Sequence, residues 1–202
     1  MTDKKPKPLG LTPSATVGPY FAYGLTPARY PFRAAFSNST VTADAVGERI
    51  RIEGRVLDGA GAGIADAMVE IWQANAAGRY AHPADAGSPS NTGFKGFARA
   101  ETAADGSYAF ETIKPGPVAG LGGAPQAPHI LVAVFSRGML RHLYTRVYFA
   151  DEAATTADAI LALVPAARRS TLIAQRADDI GHARYTFDIR IQGGDETVFF
   201  DI

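Results

Sequence analysis

Between Arg49 and Val56 the chain reads Arg-Ile-Arg-Ile-Glu-Gly-Arg-Val, which sets Ile50, Ile52 and Val56 on one side and charged groups on the other. Side chains of an extended strand point alternately to opposite faces, so this period of two describes a strand with one buried face and one wet face. The same pattern recurs down the chain. Ala67–Gln73 predicts a second strand, Gly106–Thr112 a third behind the Asp105-Gly106 turn, Leu143–Phe149 and Tyr185–Gln192 two more, and Thr197–Phe200 a short last one. Asp58-Gly59 and Gly61–Gly63 supply the turn after the first strand. His129–Phe135 is almost wholly apolar, which suits a central strand covered on both faces.

One helical excursion, near 151–176, interrupts the strands. Asp151 and Glu152 suit a first helical turn, Ile160, Leu161 and Leu163 form an apolar stripe, Pro165 ends it, and Arg168–Gln175 starts another turn or two. Many short strands with 21 Gly and 13 Pro predict an all-β protein, a β-sandwich spanning 38–202. Residues 1–37 have a different character. Lys4, Lys5 and Lys7 open a solvated tail with no apolar run long enough for a signal peptide or a spanning helix. Pro13, Gly18, Pro19, Tyr20, Phe21, Tyr23, Tyr30 and Phe32 follow, too rich in breakers for regular structure and too aromatic to remain in water. The expectation is an extended arm packed on a partner chain or on the domain's own sheet.

Charge and composition exclude several functions. With 20 basic and 20 acidic side chains spread along the length, no basic stripe is available for nucleic acid or anionic lipid. The lack of cysteine removes disulfides, thiolate metal sites and a thiol nucleophile, and favours a cytoplasmic location. His82, His129, His142 and His182 are not paired at strand or helix spacing, so no metal site announces itself. Trp72 reads as core, and His82, His142 and His182 receive no role. On pattern alone the chain is a β-sandwich of open purpose, and a binding or structural module remains one reading.

Longer blocks say more. Val69-Glu70-Ile71-Trp72-Gln73-Ala74-Asn75, Gly78-Arg79-Tyr80, the run from Asp105 to Pro117 that ends Lys-Pro-Gly-Pro, and Ala127-Pro128-His129-Ile130 stand in an order and spacing similar to the intradiol ring-cleavage dioxygenases. The resemblance implies that catalytic members hold a ferric ion through a Tyr after the first block, a Tyr just past the Pro-Gly-Pro, and a His-x-His strand. Phenolate oxygens are hard anionic donors that suit Fe(III). This chain carries Tyr80, Val118, His129 and Leu131 at those positions. Valine and leucine offer no lone pair, so the set is vestigial, and Gln126 replaces an Arg of the catalytic members, which takes a cation away.

The resemblance therefore implies a chain that binds no metal and carries no catalytic residue of its own. It is similar over nearly its whole length to the α chains of the two-chain members, which convert 3,4-dihydroxybenzoate and O2 to 3-carboxy-cis,cis-muconate. The implied partner is a homologous β subunit in an αβ hetero-oligomer, which keeps every donor and the Fe(III). In that setting the arm block Thr12–Tyr20 reaches over the partner's pocket. Gly18, Pro19 and Tyr20 would line the substrate site, and Arg137 would supply a cation for the substrate carboxylate.

Overall fold

The alternation at the start of the domain becomes β1 (Arg49–Leu57), whose Ile50, Ile52 and Val56 point into the main core. The computed structural model describes residues 21–27, 30–85, 87, 93–178 and 183–201. After β1 come β2 (Met68–Gln73), β3 (Phe97–Glu101), β4 (Ser107–Ile113), the short pair β5 (Val118–Ala119) and β6 (Pro125–Gln126), then β7 (His129–Phe135) and β8 (Leu143–Phe149). A five-residue helix, α2 (Ala159–Leu163), precedes β9 (Ile173–Asp178), β10 (Ala183–Thr186) and β11 (Ile189–Arg190).

Hydrogen bonding runs β11-β1-β10-β9-β8-β7-β2-β3, with β4 also on β1. β9 joins the two halves, antiparallel to β10 and parallel to β8. Ile50, Phe110, Tyr185 and Ile189 from one half meet Val69, Ile71, Val132 and Val147 from the other in a single apolar cluster, the core of a β-sandwich. Each such side chain taken fully out of water stabilises the fold by about 1.5–3 kcal/mol.

β1 pairs in parallel first with β10, from Ile50 to Glu53, and then with β11 at Val56 and Leu57. The changeover sits at Gly54. A Cβ there would lie 1.9 Å from the Phe187 carbonyl oxygen, so only glycine admits the crossing chain. Phe187 N–H donates to Glu53 O at 2.8 Å and Arg55 N–H to Asp188 Oδ1 at 2.9 Å. This kink divides the predicted strand Tyr185–Gln192 into β10 and β11.

Other expectations need correction. Thr197–Phe200 is not a strand: Thr197 N–H donates to Arg190 O at 2.9 Å and Phe200 forms a single antiparallel bridge to Tyr144. β3 and β9 were not anticipated: β3 alternates but is short and built on Ala98 and Ala100, while β9 takes over after the 3-10 turns of Ala166–Leu172, where further helix was predicted. Glu152 caps a 3-10 helix, Ala153–Ala157, accepting from Ala154 N at 3.4 Å, while α2 starts later with Asp158 as its cap, and Leu163 is 79% exposed instead of buried. β7 buries Ile130, Val132 and Val134, but its other face, with Leu131 and Ala133, is only half-buried.

The arm also contains regular structure, α1 (Phe21–Leu25), in a stretch whose one breaker is Gly24. Arg99 on β3 donates to Leu25 O at 3.1 Å and lies 5.0 Å over the Phe36 ring, which packs edge-on against Phe97. The end of the arm thus rests on the domain's own sheet. Among the described residues no helix is long and apolar enough to cross a membrane.

Candidate functional site

The turn after β2 is built around Asn75. Its Oδ1 accepts from Ala77 N at 2.9 Å and Arg79 N at 3.0 Å, and its carbonyl accepts from both Gly78 N and Gly116 N at 2.9 Å. Gly78 has φ +72°, and a Cβ on it would sit 2.0 Å from Pro117 O. A side chain is therefore excluded by conformation and by space. The Gly78-Arg79-Tyr80 and Pro115-Gly116-Pro117 blocks, distant in sequence, are clasped by this turn. Their clasp brings Tyr80 and Val118 to one cleft, beside Trp72 and His82. The Tyr80 ring stacks on Trp72 at 5.8 Å and 11°. Burial pushes the Tyr80 phenol up, against the pull of the Arg146 charge.

His129 opens β7 and is buried. Its Nδ1 lies 2.7 Å from Ala127 O. A carbonyl can only accept, so Nδ1 holds the proton and Nε2 the lone pair. Burial lowers its pKa, the Ala127 carbonyl opposes this and the Arg146 charge reinforces it, so the ring is neutral at pH 7. Leu131, two residues on, is paired with Trp72 on one side and Arg146 on the other.

Arg146 Nη1 donates to Gln126 Oε1 at 2.7 Å and to the Tyr148 hydroxyl at 3.4 Å. That hydroxyl donates to Asp158 Oδ1 at 2.9 Å. Asp158 also accepts from Ile160 N, Leu161 N and Ala127 N at 2.8–2.9 Å, tying α2 to the segment that leads into β7. Burial pushes Tyr148 up to about 12, with Arg146 opposing. Burial also disfavours the Asp158 carboxylate, but its donors outweigh that and hold its pKa below the usual range.

Residues 17–193 match the dioxygenase family model. Over 197 residues the chain is 49% identical to the protocatechuate 3,4-dioxygenase alpha chain of Burkholderia cepacia, covering 95% of this chain and 97% of that one. The chain belongs to the intradiol dioxygenase family. The protocatechuate 3,4-dioxygenase beta chain of the same organism is 39% identical over 167 residues, 79% of this chain and 71% of that one. The dioxygenase domain of a dioxygenase carbohydrate-binding protein fusion from Streptomyces sp. SirexAA-E shares the fold with a TM-score of 0.60 at 24% identity. The match covers 91% of this chain and 100% of that domain.

Against the family's ligand pattern, the donors here do not fit a ferric ion. Tyr80 and His129 offer oxygen and nitrogen, whereas Val118 and Leu131 offer nothing. The Arg146 guanidinium adds a positive charge felt at Tyr80, His129 and Tyr148. Among the described residues no three His, Asp or Glu converge on a metal position. Gln126 does not leave the cluster without a cation, as the sequence suggested, because Arg146 on β8 binds Gln126 on β6. Trp72, expected in the core, is half-buried and lines the cleft.

Arg137, expected to serve the partner's pocket, stands apart from this chain's own cluster. It follows β7 at the far end from His129, about 20 Å along the strand, and its side chain is 61% exposed, with Nε paired to Asp66. Gly18, Pro19 and Tyr20 lie outside the described residues. Sequence reasoning missed Arg146, Tyr148 and Asp158. The available signal was a charge in the middle of Leu-Tyr-Thr-Arg-Val-Tyr-Phe, an otherwise uncharged strand.

Proposed function

We propose that this chain is the α subunit of a two-chain protocatechuate 3,4-dioxygenase, and that a homologous β subunit holds the ferric iron. The observation that carries this reading is the pair Val118 and Leu131 at donor positions, with Arg146 set against Gln126 in the same cluster. Identity of 49% to an alpha chain, against 39% to a beta chain, points the same way. The partner's iron supplies the oxidative chemistry that opens 3,4-dihydroxybenzoate between its hydroxyl-bearing carbons. This chain's part is shape, exclusion of water and a charge for the substrate carboxylate. Gly18 permits close backbone approach at the partner's pocket, and Pro19 and Tyr20 form its wall. Arg137 suits the carboxylate because only its Nε is engaged among the described residues, which leaves both terminal nitrogens for a bidentate contact. A cytoplasmic location agrees with the cysteine-free composition.

The test is co-expression with a β reading frame that carries the full donor set, followed by metal analysis and steady-state kinetics. We expect iron to follow the β chain, and Arg137→Ala and Tyr20→Ala each to lower kcat/KM about tenfold or more. Iron bound by this chain alone, or both variants within about twofold of wild type, refutes the corresponding role. A chain that stays monomeric beside its partner supports instead a binding module on the same scaffold.

A further inference from the structure

The outer face of the sheet holds a groove of about 690 Å³ that the subunit reading does not use. Cross-strand pairing lays out its floor as one row: Phe97 against Trp72, Trp72 against Leu131, Leu131 against Arg146. Two strand spacings separate Trp72 from Arg146, about 10 Å. Ala133, Ile160, Val164 and Phe200 complete apolar walls, so the groove is greasy except at the Arg146 end and at the opposite rim. That rim is neutralised, because Arg99 is paired with Glu70 at 2.8 Å.

Arg146 is not neutralised. No carboxylate stands at ion-pair distance from it among the described residues, and Asp158 is reached only through the Tyr148 hydroxyl. One of its terminal nitrogens makes both of its hydrogen bonds. Nε and Nη2 make none among the described residues, and neither is enclosed. A half-buried guanidinium fixed from behind by Gln126 and Tyr148, with its remaining donors free beside apolar walls, is built for an anion on an apolar body. The planar Trp72, already stacked on Tyr80, offers a flat surface to that body. The volume lies within the range of small-molecule pockets.

We propose that this groove is a ligand site of this chain itself for a small monocarboxylate with an apolar ring, the carboxylate on Arg146 and the ring against Leu131 and Trp72. The site needs no metal, and its occupancy is read on the chain without partner or iron, so it stands apart from the subunit reading.

Trp72 is the chain's sole tryptophan and reports on the groove directly. The experiment titrates the full chain with sodium benzoate, following Trp72 fluorescence, beside benzamide, its neutral isostere. The expected result is saturable quenching by benzoate and binding of benzamide weaker by about 10- to 100-fold, the ratio that a charged hydrogen bond confers. Arg146→Gln should lose the benzoate response and Arg146→Lys should recover part of it, with urea midpoints checking that each variant is folded. Absence of a saturable response, equal binding of benzamide, or a folded Arg146→Gln within about twofold of wild type overturns the proposal. A final arm follows 4-fluorobenzoate by fluorine NMR on the complex with the β chain. A bound fraction present in wild type and missing in Arg146→Gln supports the site, whereas its loss on complex formation means that the partner fills the groove and the proposal fails.

Discussion

Replacing Asp158 separates two contributions that the structure joins in one carboxylate. Oδ1 caps α2 and accepts a hydrogen bond from the Tyr148 hydroxyl, while Oδ2 accepts one from the Ala127 amide. Asp158→Ala removes the cap, worth about 1 kcal/mol. It also strands the buried Ala127 N–H and the Tyr148 hydroxyl, at about 1–3 kcal/mol each. Neighbouring losses overlap, so the expected total is about 3–5 kcal/mol. Asp158→Asn keeps an oxygen for the cap and for Tyr148 but turns an NH2 toward the Ala127 N–H, so its cost is that of one mispaired donor, about 1–3 kcal/mol. Urea denaturation of the purified chain reads both values. The pH dependence has a definite sign. The folded pKa of Asp158 lies below its unfolded value near 4, so the contribution is complete above about pH 4 and fades as pH falls through the folded value. The reasoning is refuted if Asp158→Ala costs less than about 1 kcal/mol, or if Asn is as damaging as Ala.

Three further outcomes follow from the packing. Gly78→Ala should cost about 3 kcal/mol or more, since the added Cβ meets Pro117 O in a left-handed backbone, and Trp72 emission should shift as Tyr80 is displaced; a change below about 0.5 kcal/mol in the urea midpoint contradicts this. Asp151 is disfavoured by burial, but hydrogen bonds from Arg176, Lys114 and Tyr185 hold it at about 2. Its stabilisation should therefore disappear between about pH 4 and pH 2, and Asp151→Asn should flatten that segment of the stability profile. Tyr108→Phe removes a 2.6 Å bond to the buried Phe187 carbonyl and should lower stability by about 1–3 kcal/mol, visible as an earlier thermal transition.

The strands with clear alternation or unbroken apolar runs, β1, β2, β4, β7 and β8, were legible because their pattern follows directly from which face is wet. β3 and β9 were not, since Ala98 and Ala100 carry little pattern and the apolar Leu172–Ala174 stretch reads equally as helix. The split of β10 from β11 depends on a close approach at Gly54, from a segment far along the chain, which no local window contains. The site divides in the same way. The missing donors at Val118 and Leu131 were visible through family resemblance. The Arg146–Gln126 bond was not, because it joins β8 to β6, strands of different sheets that only the folded chain brings together.

The parallel seat of β10 beside β1 orders events during synthesis. Ile50 emerges from the ribosome roughly 130 residues ahead of Ala183, the residue it pairs with. At typical translation speeds that interval is on the order of ten seconds. Throughout it, one edge of β1 presents open amides and carbonyls to every other nascent chain nearby, the circumstance in which strands associate wrongly. Arg49, Arg51, Glu53 and Arg55 lie along that waiting strand, and their charges discourage a stray chain from docking before the native one arrives.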